Sequence, residues 1–423
     1  MKLIAGLTLA LLGLASLTTP AQPAPAPPKA VPDPDEVGQF FPALAAMPAP
    51  DWIKVGTRFT YLTAAGHDEG DGQLIPAKTG NIVERGTGRR FFHWPADERY
   101  EAGGGSAFTQ VDVAALAGPV AVLDVGGYGF TPVTGELSLS NATGVATNSG
   151  FNTWWVNPAA LRKLAETGGG DAFVVLAMPY AMDGKKYDVV RVQTIGRGGS
   201  YTAFTYDLAS GVLLRRMIVA DPNGVFTVDG GRFRGRRSLT ASTLKNSRQL
   251  KLPWLDAPTP DWVGQVNAMT LKGSALYVTP GQGQNPATPM EARFAVSARG
   301  AGWWRFTSEF REMGAAGIPM EITVERASGS GSLGGLWVAP QALQGMKARQ
   351  VIDEDPVTKV STVVTWVGQA PDGRQAVGIS QISPQTQIDN IYDAQSGMLK
   401  RTVLTWNTPT ARNIRTVDVV GTR

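Results

Sequence analysis

The chain has 423 residues, a formal net charge of +4 and no cysteine. That length supplies more than one ordinary core, and the absence of cysteine excludes disulfides, thiolate metal sites, a cysteine nucleophile and a lipid-modified N-terminal cysteine. Only two histidines, His67 and His93, are available for imidazole metal centres or histidine-dependent triads, and the small, interspersed charge does not mark a nucleic-acid protein.

At the N-terminus, Lys2 precedes an apolar run from Leu3 to Leu17, and Thr18-Thr-Pro-Ala21 offers small residues for signal peptidase. Residues 1–21 therefore read as a signal peptide, which predicts a chain exported to the periplasm or beyond and soluble after cleavage. The run is shorter than the roughly 20 residues a membrane span needs, and no later stretch approaches that length without a charge or a Gly/Pro break, so no transmembrane segment is expected. Residues 22–47 open on Gln22-Pro-Ala-Pro-Ala-Pro-Pro-Lys29, an extended polyproline-like tether.

From residue 48 onward, three patterns recur in the same order. Pro48-Ala-Pro-Asp-Trp52 returns as Pro258-Thr-Pro-Asp-Trp262, Trp155-Val-Asn-Pro158 as Trp337-Val-Ala-Pro340, and Tyr206-Asp-Leu-Ala-Ser-Gly-Val-Leu213 as Tyr392-Asp-Ala-Gln-Ser-Gly-Met-Leu399. A period this long means two related units, 48–251 and 252–423. In each unit the early segments read as strands: Thr57–Leu62, Gly88–Trp94, Thr109–Val113 and Val120–Asp124, then Ala268–Leu271, Ala292–Val296, Gly302–Phe306 and Met320–Glu325. Pro158 and Pro340 suit the first position of a helix, Asn157 is a good N-cap, and Gly168 stops the first helix. Apolar strands follow from Phe173 and Val360, each reaching an Asp-Gly turn, Asp183-Gly184 or Asp372-Gly373, with return strands Val189–Ile195 and Ala376–Ile382. The Tyr-Asp motif then reads as a second hairpin, whose Gly211 and Gly397 are expected at φ > 0. The fold class predicted is mainly β: two tandem related units, each a curved antiparallel sheet, barrel or half-barrel, with one short helix.

Val55-Gly-Thr-Arg-Phe-Thr-Tyr61, taken with Tyr206-Asp-Leu-Ala-Ser-Gly-Val-Leu213, resembles the first and late strands of the half-barrels of periplasmic lipoprotein carriers. The resemblance implies a bent antiparallel sheet wrapping an apolar cavity closed by a helix.

Chemistry is sparse. His67-Asp-Glu-Gly-Asp71 gathers oxygen ligands that suit Ca²⁺, but its spacing is not that of an EF-hand, and a polar hairpin tip accounts for it; no metal and no cofactor are expected. Gly103-Gly-Gly-Ser106 and Gly168-Gly-Gly170 lack the Lys-Ser or Lys-Thr of a phosphate loop, and Ser242-Thr-Leu-Lys245 lacks the companions of the S-x-x-K nucleophile. Asp97, Glu98, Glu309, Glu312 and Glu321 could furnish a pair of catalytic carboxylates if any two face each other. Arg232, Arg234 and Arg236 open a run of basic residues reaching Lys251, a stripe that could meet an anionic envelope component, although a solvated strand face is the simpler account. Neighbouring residues on a strand point to opposite faces, so Trp154 and Trp303, with Trp94, are the aromatics available to an apolar ligand. The role expected is non-enzymatic: binding an apolar or envelope-derived ligand, or serving as a structural module. The alternative is a carboxylate-dependent hydrolase of envelope polysaccharide.

Overall fold

The computed structural model describes residues 41, 47–67, 74–76, 82–84, 90–92, 106–131, 136–139, 142–169, 173–195, 201–220, 225–228, 231–234, 238–279, 281, 283–284, 286–313, 319–408 and 411–423. The proposed signal peptide, most of the tether, His93, Trp94, Asp68 to Asp71 and Arg236 lie outside them.

Two antiparallel sheets follow one another along the chain. In the first, the opening strand Thr57–His67 lies between Ser106–Ala117 and the closing strand Ser238–Gln249. Val120–Thr131 extends the Ser106–Ala117 side, and Leu213–Ala220, Tyr201–Asp207, Lys185–Ile195 and Phe173–Met182 follow in order on the other. The second sheet repeats this plan. Its opening strand Ala268–Thr279 lies between Thr288–Gly300 and the closing strand Ala411–Thr422. Beyond these come Trp303–Met313 and Pro319–Gly329 on one side, and Leu399–Thr408, Thr386–Asp393, Gln375–Ile382, Ser361–Gln369 and Val351–Glu354 on the other. Among the described residues neither sheet closes on itself, so each is an open form of the predicted half-barrel.

The three repeated patterns meet in space, which explains why they recur together. Trp52 Nε1 donates to the Ser210 carbonyl at 2.8 Å, and Trp262 Nε1 does the same to Ser396 at 2.8 Å. The Val156 N–H donates to Gly211 O, as Val338 does to Gly397 O, each at 2.9 Å. Tyr206 and Tyr392, both fully buried, donate their hydroxyls to the carbonyls of Thr153 and Gly335. Asp207 and Asp393 accept from the backbone N–H and hydroxyl of Ser210 and Ser396, closing the turn. Each of these hydrogen bonds is worth only about 1 kcal/mol net, but an unmade one in such a buried place costs more. The motif is therefore a clasp that holds the turn, the helix start and the Trp segment in register.

Local signals are obeyed where backbone chemistry alone decides them. Helix Pro158–Thr167 begins with Asn157 Oδ1 accepting from Ala159 N–H at 2.8 Å and ends on Gly168 in the left-handed region. Its buried face, Ala160, Leu161 and Leu164, packs into a core with Phe59, Tyr61, Phe151 and Trp155. The second helix, Pro340–Gln344, is shorter and has no side-chain cap, because Ala339 stands where Asn157 stood. Asp183 and Gly184 both have positive φ, as a two-residue primed turn requires.

The two units are locked together. A small cluster of Ala114, Ala115, Val122 and Ala146 from the first packs against Ala298, Trp303 and Ala327 from the second. Backbone meets backbone there: Gly331 N–H donates to Ala114 O at 3.0 Å, and Gly144 lies directly against the Arg326 main chain.

Candidate functional site

On strands of the second sheet, alternate residues face one cavity. They are Met290 and Phe294 on Thr288–Gly300; Phe306, Ser308, Phe310 and Glu312 on Trp303–Met313; and Ile322, Val324 and Arg326 on Pro319–Gly329. Ile388 and Asn390, Thr402 and Leu404, and Arg415 and Val417 continue the pattern on three further strands. The spacing of two is the strand's own side-chain period, and register aligns the rows: Asn390 faces Thr402, Thr402 faces Val417, and Phe294 faces Ser308, which faces Val324. Gln381, from another strand, and the segment Leu333-Gly-Gly-Leu336 complete this side. Because Ile322 and Gln381 come from opposite regions of the sheet, the sheet bends around a space of about 330 Å³.

The first unit supplies the facing wall: Arg58, Gln110, Asp112, Asp124, Gly126 and Tyr128. Strand register explains the charges. Arg248, Arg58, Asp112 and Asp124 stand in one row across four strands, with the two aspartates directly opposite each other. Like charges so placed repel, and guanidinium groups neutralise them. Arg58 reaches both Asp112 oxygens at 2.6 Å, and Arg326 of the second unit reaches both Asp124 oxygens at 2.9 and 2.8 Å. At the other end of the row Arg248 holds Asp353 at 2.6 and 2.7 Å and Asp355 at 3.3 Å, both from the second unit. Deeper in the second sheet Glu312 accepts from Arg415 at 2.8 Å and from the Tyr277 hydroxyl.

Burial, opposed by Arg58, pushes the Asp112 carboxyl above its ordinary range. Asp355 shifts the other way. Burial works against its ionisation, but backbone N–H groups of Thr358 and Val357 and the charges of Arg58 and Arg248 hold it below the usual carboxylate range. A depressed pKa contributes stability that is fully present above the unfolded value, near 3.9, and is lost as the pH falls through the folded one. Asp112 acts in the opposite sense, so the Asp355 effect is read by difference. Asp355→Asn should cost about 1–3 kcal/mol at neutral pH, and its deficit against the native chain should shrink on acidification below pH ~4, measured by urea melts at a series of pH values.

Of the described residues predicted from sequence, Glu312 lines the cavity, paired with Arg415, and the others fall elsewhere. Trp154 is half-buried against Tyr61, with ring centroids 5.3 Å apart, and Trp303 is buried in the seam between the units. Neither lines the cavity. Arg232 and Arg234 share the short strand Gly231–Arg234, paired with Val225–Val228. Lys245 and Arg248, from the same basic run, are engaged in ion pairs with Asp183 and with Asp353. Ser242 and Lys245 lie on one strand, with Lys245 the extra residue of a bulge, and they have separate partners: Ser242 Oγ bonds Thr63 Oγ1 at 2.8 Å, and Lys245 pairs with Asp183. Asp97 and Glu98 are outside the described residues; Glu321 pairs with Arg311 at 3.0 Å on the exposed side of its strand. The segment before the second helix lines the cavity, but the helix itself does not, which departs from the helix-closed cavity that the lipoprotein-carrier resemblance implies.

Fold and site together define a duplicated, open antiparallel β protein with an apolar cavity facing a charged wall. No family model and no curated protein matches the chain. Among solved structures it is similar to a DUF3598-family protein of unknown function from Nostoc punctiforme PCC 73102, at 9% identity over 87% of this chain and 96% of that one, with a TM-score of 0.15. It is also similar to a provisionally assigned outer membrane protein of Bacteroides fragilis NCTC 9343, at 6% identity over 85% and 96% of the two chains, with a TM-score of 0.11. No helix among the described residues is long and apolar enough to cross a membrane.

Proposed function

We propose that this is an exported, non-enzymatic binding protein of the cell envelope, and that the cavity of the second sheet takes an apolar ligand. The observation that carries the reading is the lining: Phe294, Phe306, Phe310, Ile322, Ile388, Leu404 and their neighbours present apolar side chains inward from strands whose other face meets solvent or the seam. A concave apolar space of this kind is where a ligand gains most from leaving water. The carboxylates at its edge, Asp112, Asp124 and Glu312, each accept from a guanidinium, within a unit for Asp112 and Glu312 and across the units for Asp124, an arrangement suited to neutralising buried charge and not to donating a proton to a substrate. Export rests on the pattern from Lys2 to Ala21.

The test is titration with Nile red, a neutral apolar dye. The native chain should bind it saturably with one dominant site. Leu404→Trp, which fills the cavity from its wall, should weaken binding tenfold or more while the chain still melts cooperatively. Undiminished dye binding by that variant would show that the cavity is not the site.

A further inference from the structure

The cavity's polar end says which apolar ligands it admits. Three cations and three anions line it, and each cation is matched to one anion: Arg58 with Asp112, Arg326 with Asp124, Arg415 with Glu312. The three carboxylates are at most 11% exposed, and Arg58 is as buried as its partner, while Arg415 and Arg326 keep an edge to water at 26% and 38%, so it is the anions of these pairs that are shut away. Several other polar groups of the lining are also engaged: Gln110 donates to Asp355, Gln381 to the Leu333 carbonyl, and Thr402 to Asn390. We infer that the cavity selects an amphiphile with an uncharged head, such as an alcohol, amide or ester, over a fatty carboxylate or an alkylammonium.

The physical reason is the cost of an unmatched charge. A carboxylate head has no uncommitted guanidinium to meet at these pairs, so it must displace an aspartate or glutamate that is itself buried, leaving one anion uncompensated. An ammonium head faces the mirror-image problem, since each carboxylate is already taken. A neutral head disturbs no pair, and the hydroxyls of Tyr128 and Ser308, both on the lining, offer it donors and acceptors. The two aspartates stacked across neighbouring strands sharpen the discrimination, because a third anion near Asp112 and Asp124 adds to a repulsion that two arginines only just balance.

This inference rests on the binding reading above, and the experiment separates the two. Decanol, decanoate and decylamine share one chain and differ only in head group; each is titrated into the full chain, by calorimetry or by displacement of Nile red, at neutral pH. Decanol should bind at least tenfold more tightly than either charged analogue. In Asp124→Asn the Arg326 guanidinium loses its counter-charge, and the ratio of decanoate to decanol affinity should rise about tenfold. Because the comparison is a ratio within one variant, a general loss of stability cannot mimic it. Equal or tighter binding of decanoate or decylamine by the native chain, or an unchanged ratio in Asp124→Asn, overturns the inference and leaves the cavity as an apolar site without charge selection. Failure of all three to bind overturns the binding reading as well.

Discussion

Gly211→Val and Gly397→Val should each destabilise their unit by roughly 2–5 kcal/mol, the sum of a left-handed backbone penalty and overpacking. Their φ values are 81° and 72°, a region that a β-branched residue avoids. Space is also closed: a Cβ at Gly211 would overlap the Val156 carbonyl oxygen and one at Gly397 the Val338 carbonyl oxygen, both backbone atoms that cannot swing aside. The same carbonyls belong to the residues whose N–H groups bond Gly211 O and Gly397 O, so moving them also breaks the clasp. Ala209 and Gln395 are exposed on the turn, and serine at either should change stability by no more than about 0.5 kcal/mol. Equal tolerance at glycine and neighbour in denaturant melts would refute the clasp.

Arg58→Met is the second large effect, expected at about 3–5 kcal/mol. The substitution leaves Asp112 buried beside Asp124 without its guanidinium, and it removes one of the two arginines near Asp353. The loss should diminish in acid, since burial already favours the protonated Asp112 carboxyl. Arg58→Met combined with Asp112→Leu removes both members of the pair, while Arg326 still holds Asp124 and Arg248 still holds Asp353. The double variant should recover most of the loss, as apolar replacement of a whole buried pair commonly does. A double variant as unstable as the sum of the two single losses would mean that the row of charges is not organised in the pairs described.

How far the sequence speaks depends on the range of the interaction. The Asp-Gly turn at Asp183, the Asn157 cap and the left-handed Gly211 and Gly397 are set by residues within one turn of each other, and they are readable from types and spacings, as the duplication is from the order in which its patterns recur. Trp303 shows the limit. Its neighbour Trp304 is buried in the second core, as alternation requires of one of the two, but the other face of the strand is covered by the first unit and not left free. Nothing local to Trp303 records that Ala114 and Val122 will arrive there. The cavity was hidden for the same reason. Its lining is spread over many strands at a period of two, Phe294 beside Ser308 and Val417 beside Thr402, so no single stretch looks like a site. Only register gathers it. The charged row is likewise invisible until Arg58, Asp112 and Asp124 are aligned across three strands.

An apolar ligand bound by this protein should sit in the cavity of the second sheet. Methyl-labelled spectra of the full chain, recorded while decanol or Nile red is added, test it most directly, because isoleucine, leucine and valine methyls report on both units at once. Saturable shifts are expected at Ile322, Val324, Ile388 and Leu404, which line the cavity, with Val190, Leu161 and Leu164 of the first core unmoved. Shifts confined to the exposed Leu176 of the first sheet, with the cavity methyls silent at saturation, would contradict it.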